Sequence, residues 1–229
     1  MTKGQRTRQL IKAAVFVAAL APFARLLVRG IGGDLGANPI EVITHETGIW
    51  ALRFLIITLA ITPLRWLTGW NAIIGFRRML GLFAFFYASF HFFTYLVLDQ
   101  FFEFSYILGD IAKRPYITVG FTAFVLLIPL AVTSTAGMIR RLGGRKWQLL
   151  HRLIYLSALL GVVHYLWLVK ADAERPLTYG AILASLLGFR AWHALIVPGR
   201  LGSKARGKLI PPRGESSSIH RVRAPGALP

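Results

Sequence analysis

WQLLHRLIYLSALLGVVHYLWLVK, Trp147 to Lys170, is apolar enough to cross a bilayer, yet it carries two histidines, His151 and His164. A spanning helix needs about 20 mostly apolar residues. An ionisable side chain inside such a helix is costly and marks a functional site by default. The stretch therefore implies two things at once: a membrane fold, and something for the imidazoles to hold.

The rest of the chain agrees with a membrane fold. Of its 229 residues, 55% are hydrophobic and 16% charged, with mean hydropathy +0.56, whereas a soluble domain is about one quarter charged. Six blocks reach spanning length, at about 11–30, 49–67, 79–98, 116–137, 147–169 and 177–197. Pro22, Pro63 and Pro129 fall inside or near the ends of these blocks, where membrane helices tolerate kinks. The first block lacks a small-residue cleavage site and is followed by further spans, so it reads as a span and not as a signal peptide. The expectation is an all-α, six-span transmembrane helical bundle over residues 11–199. It follows a basic N-terminus (1–10) and precedes a basic tail (200–229), rich in Gly, Pro and Ser and expected to be disordered. No internal repeat is obvious.

Loop charge sets the orientation. The N-terminus holds Lys3, Arg6, Arg8 and Lys12. Arg65, Arg77 and Arg78 lie in the second connection, and Arg140, Arg141, Arg145 and Lys146 in the fourth. With Arg200, Lys204, Arg206, Lys208, Arg213, Arg221 and Arg223 of the tail, 18 of the 27 basic residues fall on one side. Eight of the nine acids fall on the other: Asp34, Glu41, Glu46, Asp99, Glu103, Asp110, Asp172 and Glu174. Both termini are therefore expected in the cytoplasm. The formal charge of +18 reflects this topology and attraction to membrane lipid. No nucleic-acid-binding motif accompanies it, so no nucleic acid is expected as a partner. Cysteine is absent, which excludes iron–sulfur ligation, covalent haem attachment, thiolate zinc sites and disulfides.

In this topology the third and fifth spans run in the same direction. His91 lies eight residues before Asp99, and His164 six residues before Lys170. At about 1.5 Å per residue, both sit roughly 9–12 Å inside the outer boundary. Equal depth on two parallel helices is what bis-histidine haem ligation requires, and two axial imidazoles suit haem iron to electron transfer. The alternative is that each ring simply hydrogen-bonds a neighbouring helix. His151, near the cytoplasmic end, suits a second haem, a quinone or a flavin. A straight helix turns it about 140° away from His164, which a π-bulge near Gly161 would correct. Fourteen residues before His91 stands Arg77, not histidine, so a symmetrical second haem lacks its partner; His193 is a weak substitute. Arg77 and Arg78 suit haem propionates or a flavin phosphate, and equally serve as positive-inside residues. Arg140, Arg141, Arg145 and Lys146 allow the same two readings. His45, in the external loop THETG, reads as a solvated histidine, and His220 lies in the tail. Phe83, Phe85, Phe86, Tyr87, Phe90, Phe92, Phe93 and Tyr95 would pack a porphyrin as readily as a helix neighbour.

The stretches LGANPIEVITHETG (35–48), ITPLR (61–65), RRMLGLFAFFYASFH (77–91), RPYITVG (114–120), TSTAGMIRRLGGRKWQLLHRLIYL (133–156) and HYLWLVK (164–170) resemble the ferric-reductase-like transmembrane family. Within it they are most similar to the haem-binding membrane subunits of bacterial protein-methionine-sulfoxide reductase systems. The resemblance implies a non-catalytic electron-transfer subunit of the inner membrane, carrying haem b and FMN. It would take electrons from the quinone pool or a cytoplasmic flavin reductase. It would pass them to a periplasmic, molybdenum-containing methionine sulfoxide reductase catalytic subunit that repairs oxidised proteins. His91, His151 and His164 occupy the family's haem-associated positions. The tail lacks a dinucleotide fingerprint, so the chain is not expected to oxidise NAD(P)H itself.

Two other classes compete. A histidine-lined proton or metal transporter would want acids inside the spans, and none of the nine lies in a span core. A structural anchor for a soluble redox partner would survive loss of every histidine.

Overall fold

The computed structural model describes residues 3–169 and 172–207. Among these, all regular structure is helical: α1 (Lys3–Ile31), α2 (Pro39–Thr68), a 3₁₀ segment (Asn71–Phe76), α3 (Arg77–Phe93), a π segment (Thr94–Asp99), α4 (Phe104–Lys113), α5 (Pro115–Val132), α6 (Ala136–Leu142), α7 (Gly144–Leu150), α8 (Leu153–Leu168) and α9 (Glu174–Gly207). Six helices are long and apolar enough to cross a membrane, at Gly4–Ile31, Pro39–Thr68, Asn71–Asp99, Pro115–Val132, Gly144–Leu168 and Glu174–Ile196. They match the six expected blocks. The chain divides into two compact units, residues 1–189 and 190–229.

The second span begins ten residues before its expected start, and the reason is local. Asn38 caps α2 by accepting the Glu41 N–H at 3.3 Å. Pro39 stands in the first turn with its φ already helical, and Glu41 complements the helix dipole there. His45 is therefore helical and not in a loop, a correction to its sequence reading. At the other end Gly69 adopts φ 71° and returns its N–H to Arg65 O, a left-handed cap that glycine allows at no steric cost. The fourth span, expected to reach 137, ends at Val132, and a separate α6 follows. The helix α9 continues to Gly207 into the segment whose composition suggests disorder. Residues 208–229, and with them His220, lie outside the described residues.

The first unit is built around α2, most of whose apolar stretch is buried, whereas that of α1 is almost wholly at the surface. The core joins Leu52, Phe54, Leu55 and Leu59 of α2 to Phe83, Ala84 and Tyr87 of α3, Leu127 and Leu130 of α5, and Ile154, Ala158 and Val162 of α8. The outward faces carry Leu67, Leu82, Phe121, Ile128, Leu156 and Trp167 exposed, as expected where lipid is the solvent. Helix α1 is held by a polar contact from α3. The buried Tyr87 hydroxyl donates to Ala19 O at 2.8 Å and accepts the Phe23 N–H at 3.1 Å. Those are the two groups of the helical rung next to Pro22, so the tyrosine occupies the place where the proline disturbs the ladder.

Four helices pack in a ring, α2 on α3, α3 on α5, α5 on α8 and α8 on α2. This places α3 and α8, the two helices that carry His91 and His164, across the ring from each other.

Candidate functional site

His91 lies in the last turn of α3, three residues before the π segment. Its Nδ1 is 2.9 Å from the carbonyl oxygen of Thr44 on α2. A carbonyl only accepts, so Nδ1 carries the proton and donates, and Nε2 is left with its lone pair. His164 on α8 repeats the arrangement: its Nδ1–H donates to Tyr116 O, in the first turn of α5, at 2.7 Å. In each case the donor is held by the helix next in the ring, and the same tautomer results.

The two rings are neighbours in an edge arrangement, with centroids 5.9 Å apart and planes at 75°. Neither Nε2 has a hydrogen-bond partner among the described residues. Two metal–imidazole bonds of about 2 Å, plus the ring radii, would separate the centroids by roughly 6 Å. The geometry thus fits one metal centre between two axial imidazoles. Among the described residues no group of three or more His, Cys, Asp or Glu side chains is placed to hold a bare ion. A haem, which brings its own equatorial nitrogens, matches a donor set of two.

Glycines lie behind both rings. A Cβ on Gly48 of α2 would meet His91 Cε1 and Nδ1 at 3.0 Å. A Cβ on Gly120 of α5 would meet His164 Nδ1 at 2.5 Å and Cε1 at 2.8 Å. On the side of the pair expected to face outward, Arg114 pairs with Asp110 at 3.3 Å and reaches the Tyr116 hydroxyl at 3.5 Å. The Tyr116 hydrogen bond and the Asp110 carboxylate hold the Arg114 guanidinium above its ordinary pKa.

His151 stands apart from the pair. The expected bulge near Gly161 is absent, since α8 is α-helical throughout 153–168, and the break falls at His151 itself, between α7 and α8. A straight-helix angle between His151 and His164 therefore does not apply, and the π segment follows His91 instead. The His151 Nδ1–H donates to Trp147 O at 3.0 Å, and its ring stacks on Trp147 at 3.8 Å. Trp147 Nε1–H in turn donates to Thr133 O at 2.9 Å. Arg77, fourteen residues before His91, is among the charges that act on the His151 ring. No described contact joins Arg78 to either site. His45 is close enough to act electrostatically on His91, and His193 falls in the second unit.

Several participants escaped the sequence reading. The Thr44 and Tyr116 carbonyls are backbone groups that no residue type announces. Gly48 and Gly120 were visible only as glycines inside helical patterns. Arg53, within the membrane stretch of α2, donates from Nε to the Tyr179 hydroxyl at 2.9 Å and lies 4.7 Å from the Trp50 ring centroid, a cation–π contact.

Comparison with known proteins places the chain in a family. Residues 47–162 match the family described as "Ferric reductase like transmembrane component". The protein-methionine-sulfoxide reductase heme-binding subunit MsrQ of Herminiimonas arsenicoxydans is 58% identical over 187 residues, 81% of this chain and 86% of its own. The MsrQ subunit of Rhodospirillum rubrum is 55% identical over 182 residues, 80% of this chain and 88% of its own. That of Xanthomonas euvesicatoria pv. vesicatoria is 56% identical over 190 residues, 80% and 87%. With a family match over half its length and relatives of this identity and coverage, the chain belongs to the ferric reductase like transmembrane family.

Proposed function

We propose that the protein is the haem-binding, electron-transferring membrane subunit of a protein-methionine-sulfoxide reductase system. The observation that carries this is the His91–His164 pair: two imidazoles 5.9 Å apart on helices across the ring, each with Nδ1–H spent on a backbone carbonyl. His91 and His164 would hold a haem b, which would supply one-electron chemistry. The chain's own work is to fix both rings in one tautomer, to hold them at one separation, and to exclude water with the core around Phe54, Phe83 and Tyr87. The relatives' name, heme-binding subunit of a protein-methionine-sulfoxide reductase, supports the same assignment.

The finer reading is that electrons enter on the cytoplasmic side, from the quinone pool or a cytoplasmic flavin reductase, and leave to a periplasmic catalytic partner of the MsrP kind. The protein would sit in the bacterial inner membrane with both termini inside, consistent with the side bearing Arg140, Arg141, Arg145 and Lys146. His151 and Arg77 mark the candidate cytoplasmic-side site, where FMN or a second haem would bind, and Arg78 is kept in it on sequence adjacency alone. Its supporting observation is the Trp147–His151 stack beside the Arg77 charge. The transporter alternative would want acids deep in the spans: α2 carries Glu41 and Glu46 in its N-terminal turns, while the charge at its middle is Arg53, whose described partners are Tyr179 and Trp50.

The test is purification from haem-replete cells, with haem and flavin quantified per protein, followed by reduction with a quinol or with a flavin reductase. A reducible b-type spectrum that is reoxidised by the catalytic partner plus methionine sulfoxide is expected. A colourless protein would sink the reading.

A further inference from the structure

The two histidines are held by the same device built twice. Adding 72 to Thr44, Gly48 and Ala51 of α2 gives Tyr116, Gly120 and Ala123 of α5, and adding 73 to Ala84 and His91 of α3 gives Ser157 and His164 of α8. Each half has a carbonyl acceptor, a glycine one turn later on the same helix, and an imidazole from the neighbouring helix lying over both. Small buried residues repeat at the next level, Ala51 with Ala84 and Ala123 with Ser157. No obvious sequence repeat marks this, because the lipid-facing residues between these points are free to differ.

Neither Gly48 nor Gly120 is in the left-handed region, so the backbone does not require glycine at either position. In a helix interior, alanine is the more stabilising residue. What each glycine does is leave room. The absent Cβ would fall 3.0 Å from His91 and 2.5 Å from His164, closer than a carbon rests against a ring without displacement. We propose that Gly48 and Gly120 are positioning residues, seats that let each imidazole lie against the neighbouring backbone so that Nδ1–H reaches the carbonyl and Nε2 turns to the shared axis. The seat follows from the protein geometry alone, and its effect on cofactor binding rests on the haem reading above. Gly120, with the shorter distances, is the more demanding seat.

A double-mutant cycle on the full chain tests this without cofactor. Wild type, Gly120→Ala, His164→Ala and the double variant are produced in haem-deficient cells and their melting temperatures compared in detergent. Gly120→Ala is expected to lower the melting temperature when His164 is present and to leave it unchanged or raised when residue 164 is alanine. An equal loss in both backgrounds, or no loss with His164 present, overturns the proposal. If Gly120→Ala alone yields no folded protein, recovery in the double variant supports the seat and failure of the double variant overturns it. Gly48→Ala with His91→Ala forms the matching cycle, with a smaller effect. Gly161→Ala, whose Cβ would meet only Leu52 Cδ1 at 3.7 Å, is the neutral control. In haem-replete cells, Gly120→Ala is expected to lose haem occupancy by about tenfold or more, and Gly48→Ala to keep haem with a shifted low-spin resonance signal. Wild-type occupancy and signals in both variants would contradict the seats. Wild type without haem would defeat the haem reading and leave the cycle to judge the seats.

Discussion

At the scale of single residues, the site consists of groups whose hydrogen bonds leave one role open. Nδ1 of both His91 and His164 is committed to a carbonyl, and that commitment leaves Nε2 as the nitrogen able to ligate. The histidines themselves were legible, because an imidazole in a spanning segment needs an explanation and two at one depth suggest a common one. Their acceptors were not, because a backbone carbonyl has no signature in sequence. Tyr87 was similarly hidden among the aromatics of the third span, where only its hydroxyl sets it apart from its phenylalanine neighbours. Tyr87→Phe removes the group that serves Ala19 O and Phe23 N–H. It is expected to cost about 1–3 kcal/mol, read as a lower melting temperature with the haem spectrum unchanged.

At the scale of elements, pattern located the six spans, but their ends depended on capping and packing that hydropathy does not weigh. The early start of α2 is the clearest case: Asn38, Pro39 and Glu41 are good start signals, and ten polar-to-mixed residues from Pro39 still look like a loop to a hydropathy window. That extra length brings Thr44 and Gly48 level with His91, so the error bore directly on the site. Likewise, the break at His151 disposes of a straight-helix argument that no local residue contradicted. The α5–α8 seam has its own polar lock, where the fully buried Ser157 hydroxyl donates to Ala123 O at 2.9 Å. Ser157→Val removes that bond and adds volume between two closely packed helices. A loss of about 1–3 kcal/mol is expected, together with weakened haem retention, since the same seam aligns His164 with Tyr116. Ser157→Ala should cost less, and a reversed order would show that volume does not limit this seam.

At the scale of the molecule, the fold places α3 and α8 across a ring whose other members, α2 and α5, serve as their supports. Topology adds direction to this arrangement, and the absence of cysteine from the chain makes direction easy to measure. Single cysteines at Glu103 and at Lys146 are expected to behave oppositely with a membrane-impermeant maleimide in spheroplasts, the first labelled and the second protected until lysis. Equal labelling of both would undo the assignment of sides. His151→Ala is expected to leave the signal of the His91–His164 centre in place while altering whatever binds beside Trp147 and Arg77. The most direct measurement of the central claim is the haem-to-protein ratio, by pyridine haemochrome, in wild type, His91→Ala and His164→Ala of confirmed folded state. The expected result is haem in the wild type and its loss, or loss of the low-spin spectrum, in both variants. Wild-type ratios and spectra in both variants would contradict the account.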